Sequence, residues 1–311
     1  MPLHPDAVKA IDQVGNLPAH LPTAELRQVY EAQRIGLVAD ALPVQSREER
    51  DIPSRGGPLP VRIYRPLDQK PGAPLMLFFH GGGWVVGSLR GYDAVAQRLA
   101  AKTGCVVVSV GFRLAPEAVF PAAVEDSWDA FTWASDHADE LGADRARMVV
   151  CGDSAGGNLA AVVAHMCADS DRYELALQVL IYPSTDMSRS WPSYERNGTG
   201  NMLTTAALQM FIAKYVPNPD DRLDPRASPM RRSDLSGLAR ALVVSAEFDP
   251  LVDDNEAYAK CLEQAGVPVR YVCFAGMIHP FFTLSRIFRD SEKLEDLIAA
   301  AVSEIPEKSH H

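Results

Sequence analysis

The sequence predicts an α/β fold in which a mostly parallel central sheet is flanked by helices. Short apolar runs, such as residues 75–79 and 176–182, alternate along the chain with longer amphipathic stretches. Apolar runs of this length indicate strands covered on both faces, and the helices between them supply the crossovers that parallel strands require. A chain of 311 residues, of which 47% are hydrophobic, is long enough to bury the core of such a sheet.

The predicted elements follow one another in a regular order. Residues 1–45 have helical spacing between prolines, and Thr23 is predicted to cap a helix there. The first strand signal is the alternation of apolar and polar residues at 61–65. Further strands are predicted at 75–79, 105–110, 147–151, 176–182, 241–246 and 269–274, and helices at 93–103, 121–141, 155–168, 205–215, 253–266 and 284–303.

The alternation stops at Pro183 and resumes at residue 241. The segment between is rich in Ser, Pro, Asn, Asp and Arg. Ligands of open α/β sheets bind beyond the carboxyl ends of the strands, so an insertion at this point is expected to cover the site. The predicted organisation is an N-terminal part of a cap (1–45), a first core segment (46–184), a cap insertion (185–237) and a second core segment (238–311).

Composition and charge exclude several classes of function. A formal net charge of −10 argues against nucleic acid or an anionic membrane as partner. No apolar run is long enough to anchor the chain in a membrane, and residues 1–15 lack the basic and apolar regions of a signal peptide. The five cysteines have neither metal-ligand spacing nor a disulfide framework. These observations predict a cytoplasmic protein without a metal site.

The sequence Cys-Gly-Asp-Ser-Ala-Gly-Gly-Asn at 151–158 contains the main candidate for chemistry. It follows an apolar run at 148–150 and opens a helical run. Gly-x-Ser-x-Gly between a strand and a helix is typical of a nucleophilic serine on a sharp turn, here Ser154. The alternative is a glycine-rich turn that matches by chance. Asp153 is predicted to support the turn by hydrogen bonds.

A serine nucleophile needs a base, and the base needs an acid to orient it. Of eight histidines, His279 follows a predicted strand downstream of the serine, where the order Ser…Asp…His requires the base. Asp249 and Asp186 each follow a strand and are both candidate acids. Asp249 is preferred because its strand directly precedes the strand of His279.

The attack also creates an oxyanion, which needs amide donors. His-Gly-Gly-Gly-Trp at 80–84 follows a predicted strand, and its bare backbone can supply them. The predicted donors are the amides of Gly82, Gly83 and Ala155. A phosphate-binding loop would instead require a Lys and a hydroxyl residue after the last glycine, where Trp84 stands.

Residues next to the reacting groups in sequence are candidates for the substrate pocket. Trp84, Ile278 and Phe281 are apolar, and some of them are expected to line an acyl or alcohol pocket; packing in the core is the alternative. His80 is interpreted as a structural residue that hydrogen-bonds its own loop.

These motifs together resemble the bacterial hormone-sensitive-lipase-like esterases of the α/β-hydrolase fold. The resemblance rests on residues 80–84, 152–158, Asp-Pro-Leu at 249–251 and His-x-Phe at 279–281, and it covers nearly the whole chain. It implies a helical cap over the core and hydrolysis of short- to medium-chain acyl esters through an acyl-enzyme. It further implies a small-molecule ester as substrate, no cofactor and a possible homodimer.

The chain departs from the family pattern at three places. Pro280 stands where Gly usually follows the histidine, residues 111–112 are Gly-Phe rather than Asp-Tyr, and 252–255 read Val-Asp-Asp-Asn rather than Arg-Asp-Glu-Gly. None of these removes a candidate catalytic group. An amidase or acyltransferase would use the same residues, and a non-catalytic receptor on this fold generally lacks the histidine that is present here as His279.

Overall fold

The apolar runs of the sequence form the strands of a single sheet. The computed structural model describes residues 2–307, so the last four residues of the predicted core segment 238–311 lie outside the described residues. The strands are β1 (Val44–Ser54), β2 (Gly57–Pro66), β3 (Ala73–Phe79), β4 (Val106–Val110), β5 (Ala143–Asp153), β6 (Leu177–Ile181), β7 (Ala241–Phe248) and β8 (Val269–Ile278). The helices are α1 (Pro5–Val14), α2 (Thr23–Leu37), α3 (Asp93–Thr103), α4 (Ala122–Asp136), α5 (Ala155–Ala168), α6 (Pro192–Arg196), α7 (Thr205–Tyr215), α8 (Val252–Gln264) and α9 (Asp290–Ser303).

The order of the strands brings their carboxyl ends to one edge. Across the sheet the order is β1-β2-β4-β3-β5-β6-β7-β8. Every pair from β4 to β8 is parallel, while β2 pairs antiparallel with β1 and with β4. The register places Phe79 opposite Gly152 and Asp153 opposite Ile181. The predicted mostly parallel sheet flanked by helices is confirmed.

Strand β1 was not predicted. Its exposure alternates along its length, and the residues at 47–50 are Arg-Glu-Glu-Arg. Its charged side chains pair across the hairpin, with Arg62 on Glu49 at 2.6 Å and Arg65 on Glu48 at 3.2 Å. Charged side chains are common on edge strands, where they protect the open edge, but they hide the hydrophobic alternation on which a sequence prediction depends.

Several predicted element ends were wrong. Strand β8 continues to Ile278 rather than ending near 274, so His279 follows the strand directly. A register shift between Ala246 and Phe248 accompanies this extension. Helix α4 ends at Asp136, and α9 begins only at Asp290. Thr23 is the first residue of α2 and makes no cap; its hydroxyl accepts a hydrogen bond from Lys214 at 3.0 Å.

The two segments predicted to form the cap meet each other beyond the carboxyl ends of the strands. The N-terminal segment contributes α1 and α2, and the insertion contributes α6 and α7. The amide of Leu17 donates to the carbonyl of Met202 at 3.3 Å, and both residues line the cavity above Ser154. Within residues 2–307, no helix has the length and apolar character needed to cross a membrane.

Candidate active site

Ser154 occupies the tight turn between β5 and α5. Its backbone has φ 56° and ψ −115°, a conformation that costs energy for any residue other than glycine. Its amide donates to the carbonyl of Ile181 at 2.8 Å, which ties the turn to β6. The turn needs a glycine two positions after the serine, because a Cβ on Gly156 would lie 1.9 Å from the carbonyl oxygen of Phe79. The strained turn therefore presents Ser154 at the carboxyl edge of the sheet.

His279 and Asp249 meet at the ends of the neighbouring strands β8 and β7. Nδ1 of His279 lies 2.7 Å from Oδ2 of Asp249, and both residues are buried. The other carboxylate oxygen accepts the amide of Leu251 at 2.8 Å, which fixes the carboxylate. With Nδ1 on the carboxylate, Nε2 is the ring nitrogen left for proton transfer.

The alternative acid, Asp186, is bonded to other groups. Its carboxylate lies 3.0 Å from Arg189 and 3.3 Å from Arg231. The structure therefore brings Asp249, and not Asp186, to the imidazole of His279.

Two residues beside His279 complete its surroundings. Pro280 follows it through a cis peptide bond and lines the same cavity. The Tyr182 ring lies 4.4 Å from the imidazole ring, measured between centroids, and is fully buried. Tyr182 follows β6 with φ 35°. Sequence reasoning missed Tyr182, because a tyrosine at the end of a buried strand gives no signal of contact with a histidine almost a hundred positions later.

The loop after β3 presents backbone amides to the same space. Gly82 and Gly83 have φ of 119° and 58°, the left-handed region that favours glycine. The turn is closed by the amide of Val86, which donates to the Gly82 carbonyl at 3.0 Å. In the described part of the chain, the amides of Gly82 and Gly83 make no hydrogen bond to protein. The amide of Ala155, at the first position of α5, has no intrahelical acceptor either.

His80 and Asp153 hold this loop. His80 is buried, its Nδ1 lies 2.8 Å from the Gly81 carbonyl, and its ring stacks on Phe112 at 4.4 Å. Burial lowers the pKa of His80 to about 4, so the ring stays neutral at ordinary pH. The Gly81 amide donates to Oδ1 of Asp153 at 2.8 Å. This geometry agrees with supporting roles for both residues.

A cavity of about 690 Å³, measured with its opening to solvent, joins these groups. Ser154, His279, Gly82 and Gly83 form its floor. Its roof comes from the two segments predicted to form the cap, namely Leu17, Met202, Leu203, Leu208 and Phe211. Sequence reasoning missed these roof residues, because an apolar residue in a cap looks the same as one in the core.

Only one of the three predicted pocket residues lies on this cavity. Trp84 lines it and stacks on Tyr215 at 4.7 Å. Ile278 and Phe281 are fully buried away from the lining, and Phe281 packs on Phe274 at 4.9 Å. Proximity in sequence failed for these two because Ile278 is still part of β8 and pairs with β7 in the sheet.

Among residues 2–307, no group of three or more His, Cys, Asp and Glu side chains is placed to hold a metal ion.

The chain is similar to several known proteins. A family model described as alpha/beta hydrolase fold matches residues 76–283. The chain is 42% identical over 285 residues to the ethyl acetate hydrolase of Pseudomonas putida, with 89% of each chain covered. It is 38% identical over 252 residues to a carboxylesterase of Mycobacterium tuberculosis, covering 80% of this chain and 79% of that one.

The similarity extends to solved structures. A hyperthermophilic esterase from the archaeon Pyrobaculum calidifontis matches with a TM-score of 0.92 at 39% identity, over 98% of this chain and 100% of that one. The family model and these relatives cover most of the chain, and the family model spans the serine turn, the glycine-rich loop at 80–84 and the ends of β7 and β8. The chain therefore belongs to the hormone-sensitive-lipase-like family of α/β hydrolases.

Proposed function

We propose that this protein hydrolyses carboxylic esters with short- to medium-chain acyl groups through an acyl-enzyme on Ser154. One observation carries the proposal: His279, which makes a 2.7 Å hydrogen bond to the buried Asp249, lines the same cavity as Ser154. The names of the relatives, among them an ethyl acetate hydrolase and a carboxylesterase, support the same reaction class.

In the first half of the reaction, the Ser154 hydroxyl oxygen attacks the acyl carbonyl carbon. Nε2 of His279 takes the hydroxyl proton, and Asp249 holds the imidazole in the tautomer that leaves Nε2 unprotonated. The carbonyl oxygen becomes negative and accepts hydrogen bonds from the amides of Gly82, Gly83 and Ala155.

The tetrahedral intermediate collapses when His279 returns the proton to the departing alcohol oxygen. Water then enters, gives a proton to His279 and attacks the acyl carbon. Breakdown of the second tetrahedral intermediate releases the acid and restores the Ser154 hydroxyl. Every step uses groups of the chain and water, so the proposal invokes no cofactor or metal.

The roof of the cavity supports a limit on acyl length. Phe211 lies directly above the oxyanion loop, since a Cβ on Gly83 would come 2.3 Å from its ring. Phe211 is 4% exposed and Leu208 is 4% exposed, so the roof is packed rather than open. An acyl chain that extends past this roof must displace packed side chains, which costs free energy.

The test is a turnover screen of nitrophenyl esters from acetyl to long acyl groups, with a nitroanilide of a short acid included. We expect the highest kcat/KM among the short and medium esters and little turnover of the anilide. A phosphonate probe should label the protein once, on Ser154. Absence of turnover with every ester, or labelling at another residue, would contradict the proposal. Faster cleavage of the anilide would favour the amidase alternative.

The homodimer and the cytoplasmic location stay predictions.

A further inference from the structure

An unbroken chain of buried hydrogen bonds joins the cap helix α2 to the residue that precedes Ser154. Nη2 of Arg34 donates to the Tyr30 hydroxyl at 3.0 Å. The Tyr30 hydroxyl lies 3.0 Å from the Tyr92 hydroxyl, which donates to Oδ2 of Asp153 at 3.2 Å. The four residues are at most 6% exposed. Two of them, Tyr30 and Arg34, stand one turn apart on α2 and also line the cavity, while Tyr92 and Asp153 belong to the core.

The chemistry of the two ends fixes the direction of every bond. A guanidinium only donates hydrogen bonds, and an ionised carboxylate only accepts them. Tyr92 has one hydroxyl hydrogen and gives it to Asp153, so Tyr30 must give its own hydrogen to Tyr92. Tyr30 in turn accepts from Arg34. Removal of any member would leave a buried neighbour without its partner, which costs more than the net value of one hydrogen bond.

The carboxylate at the end of this chain holds the proposed oxyanion loop. Its second oxygen, Oδ1, accepts the Gly81 amide at 2.8 Å, next to the amides of Gly82 and Gly83. Burial raises the pKa of Asp153 to about 6, and the positive charge of Arg34 is the largest influence that opposes the rise. Arg34 thus helps to keep the carboxylate ionised and able to accept from the loop.

The same arginine also reaches the histidine side of the site. Nη1 of Arg34 donates to the Thr283 hydroxyl at 2.6 Å. That hydroxyl donates to the carbonyl of Pro280 at 3.2 Å, and Pro280 directly follows His279. One cap residue is therefore bonded, through one or a few intermediates, to both loops that carry the reacting groups.

We propose that Arg34 and Tyr30 are positioning residues for hydrolysis. They act through Tyr92 and Asp153 on the oxyanion loop, and through Thr283 on the loop of His279. The cap is then a structural part of the catalytic machinery as well as a roof over the substrate. This inference rests on the proposed ester hydrolysis.

The test measures kcat, KM and the thermal midpoint of three variants with a short nitrophenyl ester. Tyr30→Phe removes one hydroxyl and keeps the ring, and we expect kcat to fall about tenfold. Arg34→Gln should lower kcat about 100-fold, comparable to the loss of one oxyanion donor. Arg34→Lys keeps the charge and should recover part of that loss. KM should stay within about twofold, because the oxyanion forms only after the substrate is bound.

The matched control is Tyr258→Phe. The Tyr258 hydroxyl also makes a buried hydrogen bond, to Nε2 of His165 at 2.8 Å, and neither residue lines the cavity. Tyr30 does line the cavity, so a direct contact between its hydroxyl and the bound ester would instead change KM. A purely structural role predicts that both Tyr→Phe variants lower the midpoint and leave kcat equal. The positioning role predicts a loss of kcat in Tyr30→Phe alone.

Each result separates the two proposals. Equal kcat for the two Tyr→Phe variants, or a raised KM with unchanged kcat, would overturn the positioning role and leave ester hydrolysis standing. Lack of ester turnover by the unmodified protein would reject the proposed function, and the positioning role with it. If Arg34→Gln fails to fold, the comparison of kcat between Tyr30→Phe and Tyr258→Phe still tests the positioning role.

Discussion

The floor and the roof of the cavity are built in different ways. The floor and the acid beneath it come from strand ends: Ser154 directly follows β5, Asp249 directly follows β7 and His279 directly follows β8. The roof comes from segments far apart in sequence, with Leu17 in the N-terminal segment and Phe211 in the insertion. The floor is therefore fixed by sheet register, whereas the roof is fixed by how two separate pieces of chain pack together.

This difference separates the reaction from its selectivity. A strand end cannot move without a shift in a hydrogen-bonded sheet that spans the core. A roof side chain can change size while the sheet stays as it is. We therefore expect substitutions in the floor to lower kcat for every ester. Substitutions in the roof should change which acyl lengths are hydrolysed best.

The largest expected effect is at the serine. Ser154→Ala should lower kcat for nitrophenyl esters on the order of 10⁶-fold, because it removes the hydroxyl on which the acyl-enzyme is proposed to form. Ser184→Ala is the matched control, since Ser184 lines the same cavity but does not stand on the strained turn, and it should retain most of its activity. Substantial turnover by Ser154→Ala would show that the floor does not act as proposed.

The next effect is at the acid. Asp249→Asn should lower kcat about 10⁴-fold, because an amide in place of the carboxylate favours the wrong tautomer of His279. Asp186→Asn, which alters a buried aspartate bonded to arginines instead, should have a much smaller effect on kcat. The reverse ranking in steady-state kinetics would reject the assignment of Asp249.

A roof substitution should change selectivity instead. Phe211→Ala opens the roof above Gly83, and we expect kcat/KM for longer acyl esters to rise about tenfold relative to acetyl, as each accommodated methylene contributes modestly. Ile212→Ala is the control, because Ile212 is buried on the same helix but does not line the cavity. If Phe211→Ala lowered kcat/KM equally for all acyl lengths, the proposed role of the roof in selectivity would be wrong.

The smallest expected effect concerns the junction between core and cap. Asp254 on α8 is buried and accepts the amide of Thr185 at 2.8 Å, where the cap insertion begins. Burial raises the pKa of Asp254 to about 7, so the folded protein keeps a proton that the unfolded chain releases near pH 4. The contribution of this proton to stability is complete below pH 4 and is lost as the pH rises through 7.

Asp254→Asn carries no titrating proton and lacks this dependence. The free energy of unfolding of the wild type, relative to the variant, should fall by on the order of 1 kcal/mol per pH unit between pH 5 and 7. Urea unfolding of both proteins at pH 5, 6 and 7 measures it. Parallel curves, or a difference that grows with pH, would contradict the raised pKa.

Sequence reasoning succeeded where one local pattern determines one local structure. The glycines around Ser154 and in the loop at 81–83 are required by close backbone contacts and positive φ, so their motif predicts their geometry. Helices α3, α5 and α7 fell at their predicted positions because their apolar spacing is regular. Asp249 and His279 could be selected because parallel strands end at one edge of the sheet.

Sequence reasoning failed where contacts depend on tertiary packing. Strand β1 was not predicted because its residues alternate in exposure without alternating between apolar and polar side chains. The predicted pocket position Ile278 is buried because β8 is longer than its apolar pattern suggested, and Phe281 is buried because it packs on Phe274. The hydrogen bonds of Tyr30 and Arg34 could not be predicted either, since the pattern of an amphipathic helix does not show which residues its side chains contact.

The contact between Arg34 and Thr283 also constrains how the protein is made. The two residues are 249 positions apart, so α2 leaves the ribosome long before its partner is synthesised. At about 5–20 residues per second, this interval lasts roughly ten seconds or more. Until then α2 can bond earlier residues such as Val85 and Tyr92, but not the loop that follows His279. A nascent chain that stops at residue 280 would therefore contain β8 but lack the bond that ties α2 to the loop of His279.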